Sequence, residues 1–175
     1  MDFSKLNFIR LTQEHAIKPF DCEDSDLNEF LFEDSKNHLK DLFAVTYILE
    51  DKDRTIAFFS LLNDKVSFKD TKSKTSWELF RETITGNTTL GSYPAMKVGR
   101  LGVSKEYKGN GVGRFILDYL KILFVTNNRT GCRCITVDAY CQSLAFYEKN
   151  DFIYLTTKDE NKDTRLMYFD LNLLG

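Results

Sequence analysis

One stretch restricts the fold more than any other. Met96–Val103 reads as a strand, Ser104–Lys108 is a short polar link, and Gly109-Asn110-Gly111-Val112-Gly113 follows at once. After the glycines, Val112, Phe115, Ile116, Tyr119, Leu120 and Leu123 recur at steps of three and one. That spacing predicts an amphipathic helix of about four turns. A strand that passes through glycines into a helix belongs to a layered α/β fold. The first turn of such a helix carries backbone N–H groups without internal partners, and the aligned dipoles make that end positive. Glycine lets the main chain approach a ligand closely, so the corner is an anion site. Lys108 and Arg114 add two cations beside it.

The spacing narrows the anion. A Walker A loop needs Gly-x-x-x-x-Gly-Lys-Ser/Thr, and neither the spacing nor the hydroxyl is present. A dinucleotide fingerprint needs Gly-x-Gly-x-x-Gly in a parallel βαβ unit with an acid about 20 residues on. Here the glycines alternate, and the unit lies mid-chain.

The remaining pattern predicts a single domain, 1–175, with a mixed sheet. Phe8–Leu11 reads as a first strand. Asp26-Leu27-Asn28-Glu29 has capping-box spacing, so a helix is expected over Asp26–Leu39. Leu42–Glu50 and Thr55–Asn63, joined by Asp51-Lys52-Asp53-Arg54, read as an antiparallel hairpin. Trp77–Ile84 is expected to be a short helix and 85–92 a loop. Strands are expected at Cys132–Ala139, Phe152–Thr157 and Thr164–Leu171, with a helix at Gln142–Asn150. A chain of this length buries roughly 70% of its unfolded surface, which suffices for a core without staples.

No run approaches the ~20 apolar residues of a membrane span. Met1–Lys5 lacks the apolar stretch of a signal peptide, so the expected location is cytoplasmic, away from membranes. Cys22, Cys132, Cys134 and Cys141, with His15 and His38, show no zinc spacing. They are expected to be buried reduced thiols, and no metal is expected. Cys132 and Cys134 would share one face of a strand.

The formal charge of −2 argues against nucleic acid as the main partner, but the distribution is uneven. Residues 21–53 hold eleven acids against three lysines, a net of −8. Residues 97–121 hold six bases against two acids, a net of +4. Either the two segments face ligands of opposite charge, or both are solvated faces.

Lys108-Gly109-Asn110-Gly111-Val112-Gly113 resembles the pyrophosphate signature of the GNAT superfamily of acyl-CoA-dependent N-acyltransferases, Arg/Gln-x-x-Gly-x-Gly/Ala between a strand and a helix. Lys108 departs from it, keeping the charge but not the planar fork. Ser143-Leu144-Ala145-Phe146-Tyr147-Glu148-Lys149-Asn150-Asp151-Phe152 is similar to the family's small-x-x-Phe/Leu-Tyr-x-x-x-Gly-Phe motif. Asp151 replaces the usual glycine, and Asp tolerates left-handed backbone better than most residues. Tyr140 stands where many relatives carry an asparagine. The resemblance covers roughly residues 8–171. It implies a central, mostly antiparallel mixed sheet of six to seven strands, helices on both faces, and a splayed strand pair holding the cofactor.

The resemblance also implies roles. Acetyl-CoA would be the co-substrate, held by Lys108, Gly109, Asn110, Gly111, Val112, Gly113 and Arg114 at its phosphates. Backbone groups of Leu101 and Val103 would pair with the pantetheine amides like an added strand, and one N–H would face the thioester carbonyl. Tyr147 matches the family's general acid. A phenol has a pKa of about 10 and a thiol about 8.5, so donation to a free thiolate is uphill, and the proton must move as the C–S bond breaks. The expected reaction is acetyl transfer to a primary amine of a small molecule or protein, by a monomer or homodimer. No base stands out; acids of residues 21–53 would attract the acceptor's ammonium.

Phe20-Asp21-Cys22, Asp26-Leu27-Asn28-Glu29-Phe30-Leu31 and Gly99-Arg100-Leu101-Gly102-Val103 are similar to a subgroup that includes toxin-type acetyltransferases, which act on aminoacyl-tRNA. A tRNA acceptor is therefore the alternative. Lys65, Lys69, Lys72 and Lys74 form a basic loop for it, diluted by Asp64 and Asp70. A third alternative is a non-catalytic acyl-CoA sensor that needs the cradle but not Tyr147.

Overall fold

The computed structural model describes residues 6, 8–84, 90–126 and 130–174. Met1–Lys5 and residues 85–89 of the expected loop lie outside them. In chain order the elements are β1 (Phe8–Arg10), α1 (Ser25–Glu29), a π-helical turn (Phe30–Asp34), α2 (Ser35–Lys40), β2 (Val45–Glu50) and β3 (Thr55–Ser67). Then come α3 (Lys74–Ile84), β4 (Ser92–Val103), α4 (Val112–Thr126), β5 (Cys134–Tyr140), α5 (Leu144–Glu148), β6 (Ile153–Tyr154) and β7 (Thr164–Asp170). The strands form one open sheet in the order β1-β2-β3-β4-β5-β7-β6. β4 and β5 pair in parallel, while β1–β2, β2–β3, β5–β7 and β6–β7 are antiparallel. This is the mixed, mostly antiparallel sheet the sequence implies.

The chain divides into two compact units. The first holds residues up to Leu62 and Val98–Tyr119. Its core gathers Leu11, Phe20, Cys22, Phe30, Leu31, Ile48 and Phe58. The β2–β3 hairpin forms as expected, its turn closed by the Asp51 carboxylate accepting from the N–H groups of Asp53 and Arg54 at 2.8 and 2.9 Å. β2 starts at Val45, not Leu42. Leu42 has φ of 60° and is 90% exposed, and the N–H groups of Leu42 and Phe43 donate to Leu39 and His38 carbonyls, so these residues end the preceding helix.

That helix is expected as one α-helix but includes the π turn. Its N-cap is Asp24, whose carboxylate accepts from the Leu27 N–H at 3.1 Å, in place of the Asp26–Glu29 box. Asp24 has the extended backbone a cap needs, whereas Asp26 already lies inside the first turn.

The second unit holds Asn63–Lys97 and Leu120–Gly175. Trp77, Phe80 and Ile84 of α3 pack with Val66, Tyr93, Ala95, Cys134, Leu155 and Tyr168. α3 begins three residues earlier than its apolar pattern, and β4 four residues earlier. The expected Gln142–Asn150 helix is a 3-10 turn, Cys141–Ser143, followed by α5. β6 is only two residues long, not Phe152–Thr157. The Asp159 carboxylate takes the Leu166 N–H at 2.6 Å, so a side chain replaces part of the expected ladder.

The cysteines correct one expectation. All four are free, but only Cys22 and Cys134 are buried; Cys132 is half-buried and Cys141 exposed. Cys132 precedes β5, so it shares no strand face with Cys134. Among the described residues, no helix is long and apolar enough to cross a membrane.

Candidate functional site

The expected cofactor-binding residues lie on one continuous strand–turn–helix of the first unit. Leu101 and Val103 occupy the end of β4, both half-buried. Gly109 and Gly111 have φ of 78° and 81°, a region that side-chain-bearing residues seldom adopt. The space over Gly109 is open, with nothing within 4 Å of an added Cβ. Val112, 1% exposed, anchors the start of α4, and its first-turn N–H groups have no intrahelical partner. Arg114 is exposed and 3.5 Å from Asp118 one turn on. Phe115 and Tyr119 fix this half of the helix by packing on Phe8, at 5.4 and 4.3 Å between ring centres.

Lys108 is engaged differently from its expected role. Its Nζ donates to the Cys22 carbonyl at 2.7 Å and the Glu23 carboxylate at 3.0 Å. Lys105 likewise reaches Asp21 at 2.8 Å, and its N–H donates to the Asp21 carbonyl at 2.9 Å. Arg100 lies 3.6 Å from Asp26 and over the Phe30 ring. Tyr107 donates to Asp51 at 2.7 Å, and Arg54 pairs with Glu106. Three acids of residues 21–53 are thus partners of three bases of residues 97–121, while Lys97, Arg114 and Lys121 pair with Asp138, Asp118 and Asp151. Three ion pairs strap residues 21–26 to β4 and the loop before the glycines. The Lys105 ammonium and the Glu23 N–H, with a bond from the Asn28 side-chain amide, hold the Asp21 carboxyl far below the usual carboxylate range.

Gly99 and Gly102 of the Gly-x-x-Gly phrase have a packing reason. A Cβ on Gly99 would lie 2.7 Å from the Leu62 side chain, and one on Gly102 2.6 Å from the Phe58 ring.

Tyr147 belongs to the second unit. It lies on α5, 6% exposed, its ring 5.0 Å from Phe146 and 5.4 Å from Phe152. Burial pushes its phenol above the ordinary value. Asp151 takes the left-handed conformation expected of it, with φ of 66°. Tyr140, the other departure, ends β5 and is 42% exposed.

Sequence reasoning passed over Lys121. It is 6% exposed, and its Nζ donates to the Asn150 carbonyl at 2.9 Å. The signal was available: Lys121 continues the helical spacing of buried Leu117, so a cation interrupts an apolar face. It also passed over Glu23, whose partner is distant in sequence. Among the described residues, no group of three or more His, Cys, Asp or Glu is placed to hold a metal.

The model of the acetyltransferase (GNAT) domain matches residues 44–154, well over half of the chain. No curated protein matches it. Among solved structures, one described as a bacterial toxin superposes with a TM-score of 0.78 at 12% identity, covering 97% of this chain and 92% of that one. A tyrosine-to-phenylalanine variant of KacT gives 0.75 at 20% identity, covering 97% and 99%. AtaT complexed with acetyl-methionyl-tRNAfMet gives 0.74 at 19%, covering 97% and 96%. These likenesses establish a shared fold. Together with the domain match, which spans the glycine cradle and Tyr147, they show that the chain belongs to the GNAT family of acetyltransferases.

Proposed function

We propose that this acetyltransferase is a single catalytic domain, residues 1–175, that moves an acetyl group from acetyl-CoA to a primary amine of a small molecule or protein. The observation that carries the proposal is the pair of left-handed glycines at the mouth of α4, with open space over Gly109. Such a corner suits a diphosphate, which needs close main-chain approach and convergent N–H donors. In this reading Gly109, Asn110, Gly111, Val112 and Gly113 grip the phosphates through their backbone, with Lys108 and Arg114 adding charge. Leu101 and Val103 bond the pantetheine amides. When bound, acetyl-CoA supplies an activated acyl carbon and a thiolate leaving group.

Tyr147 is the proposed acid for that thiolate. Burial raises the phenol pKa, which weakens it as an acid in isolation. In this reading the proton moves as the C–S bond breaks and not to a free thiolate, so the weak acid suffices. Asp21, Glu23 and Asp26 are committed to Lys105, Lys108 and Arg100. That commitment counts against these three acids as a trap for the acceptor's ammonium, and water carries the amine's proton away in this reading.

Aminoacyl-tRNA is the second reading, and a surface of the second unit favours it. Lys65, Lys69, Lys72 and Lys74 are exposed, with Phe68 50% exposed among them. Lys158 joins them, its Nζ donating to the Lys69 carbonyl at 3.1 Å. The diluting acids are turned inward: Asp70 accepts from the Ser67 N–H and hydroxyl at 2.8 Å, and Asp64 from Thr136 at 2.6 Å. Lysines flanking an exposed aromatic suit a phosphate backbone with an unpaired base. AtaT, captured with acetyl-methionyl-tRNAfMet, has the same fold.

One experiment separates the readings. The protein is incubated with acetyl-CoA and a panel of small amines, peptides and aminoacyl-tRNAs, and free thiol is followed. Release with amines or peptides supports the first reading, and release with aminoacyl-tRNA alone supports the second. Acetyl-CoA binding without turnover on any acceptor refutes both and leaves a sensor.

A further inference from the structure

Lys121 is used by neither the cradle nor the acid chemistry, yet it is a buried ammonium. Burying such a charge is costly unless it is paired and hydrogen-bonded. Its polar partners lie in the turn that follows α5, and one of its two ring contacts is on β7. Besides the Asn150 carbonyl, Nζ is 3.5 Å from the Asp151 carboxylate, and 4.1 and 6.0 Å from the ring centres of Phe169 and Phe152.

The turn itself is a Schellman closure. The Phe152 N–H donates to the Tyr147 carbonyl at 3.1 Å, and the Asp151 N–H to the Glu148 carbonyl at 3.0 Å. Asp151 occupies the left-handed position where glycine is usual. The apolar contact that accompanies such closures here joins Phe152 to Tyr147. The Asn150 side chain adds a bond to the Phe146 carbonyl at 2.7 Å. The Asn150 carbonyl has no partner within α5, and a cation there also meets the negative end of the helix.

We infer that Lys121 is a positioning residue for Tyr147. It clamps the Asn150–Phe152 turn, offsets the strain of Asp151 with an ion pair, and through Phe152 fixes the direction of the phenol. The inference rests on the proposed role of Tyr147 as acid. Proton donation depends steeply on placement, and small displacements cost much of the rate.

The test is Lys121→Met, which keeps the stem and removes the charge. Its circular dichroism and acetyl-CoA affinity should match wild type, while kcat falls about tenfold to a hundredfold without a change in amine KM. In protein labelled with 13C at tyrosine Cζ, the Tyr147 resonance, identified by its loss in Tyr147→Phe, should move. The kcat loss should vanish in a Tyr147→Phe background and shrink in Asp151→Gly, where the turn is relaxed. Unchanged kcat and resonance, or an undiminished loss in Tyr147→Phe, overturns the inference. Should Lys121→Met not fold, Lys121→Arg is read instead: it keeps the charge but reshapes the clamp, so an unmoved resonance is again fatal. Should Tyr147→Phe leave turnover intact, the acid role falls, and the resonance still decides whether Lys121 holds Tyr147.

Discussion

The Glu23 carboxylate lies 3.0 Å from the Lys108 ammonium, directly before the glycine turn. Both groups are at least half exposed, so the pair is a weak one. If Lys108 serves the diphosphate, Glu23 competes with it and adds a repelling charge. Glu23→Gln should therefore tighten acetyl-CoA binding, by about two- to fivefold at low salt, the range an exposed ion pair spans. Calorimetry at low and high salt checks it, and the gain should shrink as salt screens the site. Weaker binding in the variant would make Lys108 a strap for residues 22–23 and nothing more.

The Lys108 contact also shows what the sequence reveals and what it hides. Local signals were legible: the alternating glycines, the four-turn stripe of α4, the β2–β3 hairpin and the left-handed Asp151 each follow from neighbours a few residues away. The sequence does not single out the N-cap, because Asp24 and Asp26 both have suitable side chains and backbone conformation chooses between them. Leu42 and Phe43 are apolar yet exposed, so composition alone assigned them to β2. The pairing of Asp21, Glu23 and Asp26 with Lys105, Lys108 and Arg100 spans over 70 residues of chain, and no local pattern encodes such a partner.

Asp21 makes the strap sensitive to acid. Its carboxyl is lowered from 3.8 by bonds that exist only in the folded chain. A lowered folded value means the contribution is complete above the unfolded value and is lost as pH falls through the folded one. Lys105 is raised by the same pair, so its share is complete at neutral pH and lost only in strong alkali. Stability should thus decline below about pH 4. In Asp21→Asn that decline should be shallower, as followed by thermal melts across the acid range.

Gly111 tests the cradle. Valine at φ of 81° is strained, and its side chain would obstruct the proposed phosphate approach. Gly111→Val should weaken acetyl-CoA binding at least about tenfold, or 1.4 kcal/mol. A thermal melt establishes that the variant is folded. Unchanged affinity in folded protein would move the diphosphate elsewhere.

Tyr147→Phe should lower kcat by about 10²–10⁴-fold, the usual contribution of a placed acid. The phenyl ring preserves the packing on Phe146 and Phe152, so the melting temperature and acetyl-CoA affinity should hold. The pH profile carries a second signature. Because burial raises the phenol pKa, Tyr147 stays protonated past the ordinary tyrosine range. kcat/KM should rise with pH as the free acceptor amine loses its proton, and no alkaline fall should appear below about pH 10. A descending limb near neutrality would assign the acid to another group.

Gly102 tests the packing beneath the cradle. An added Cβ would come within 2.6 Å of Phe58 Cε1 and 3.2 Å of Phe20 Cζ. Phe58 is fully buried, and both rings belong to the core of the first unit, so neither swings aside cheaply. Gly102→Ala should cost about 1–3 kcal/mol, the range for overpacked cores, read as a lower urea midpoint. Acetyl-CoA affinity should weaken less than in Gly111→Val, because the methyl group points at the core and leaves the glycine turn untouched. Full stability would mean that Phe58 has room to move, which the ring contacts of Phe58 with Phe20 and Phe30 argue against.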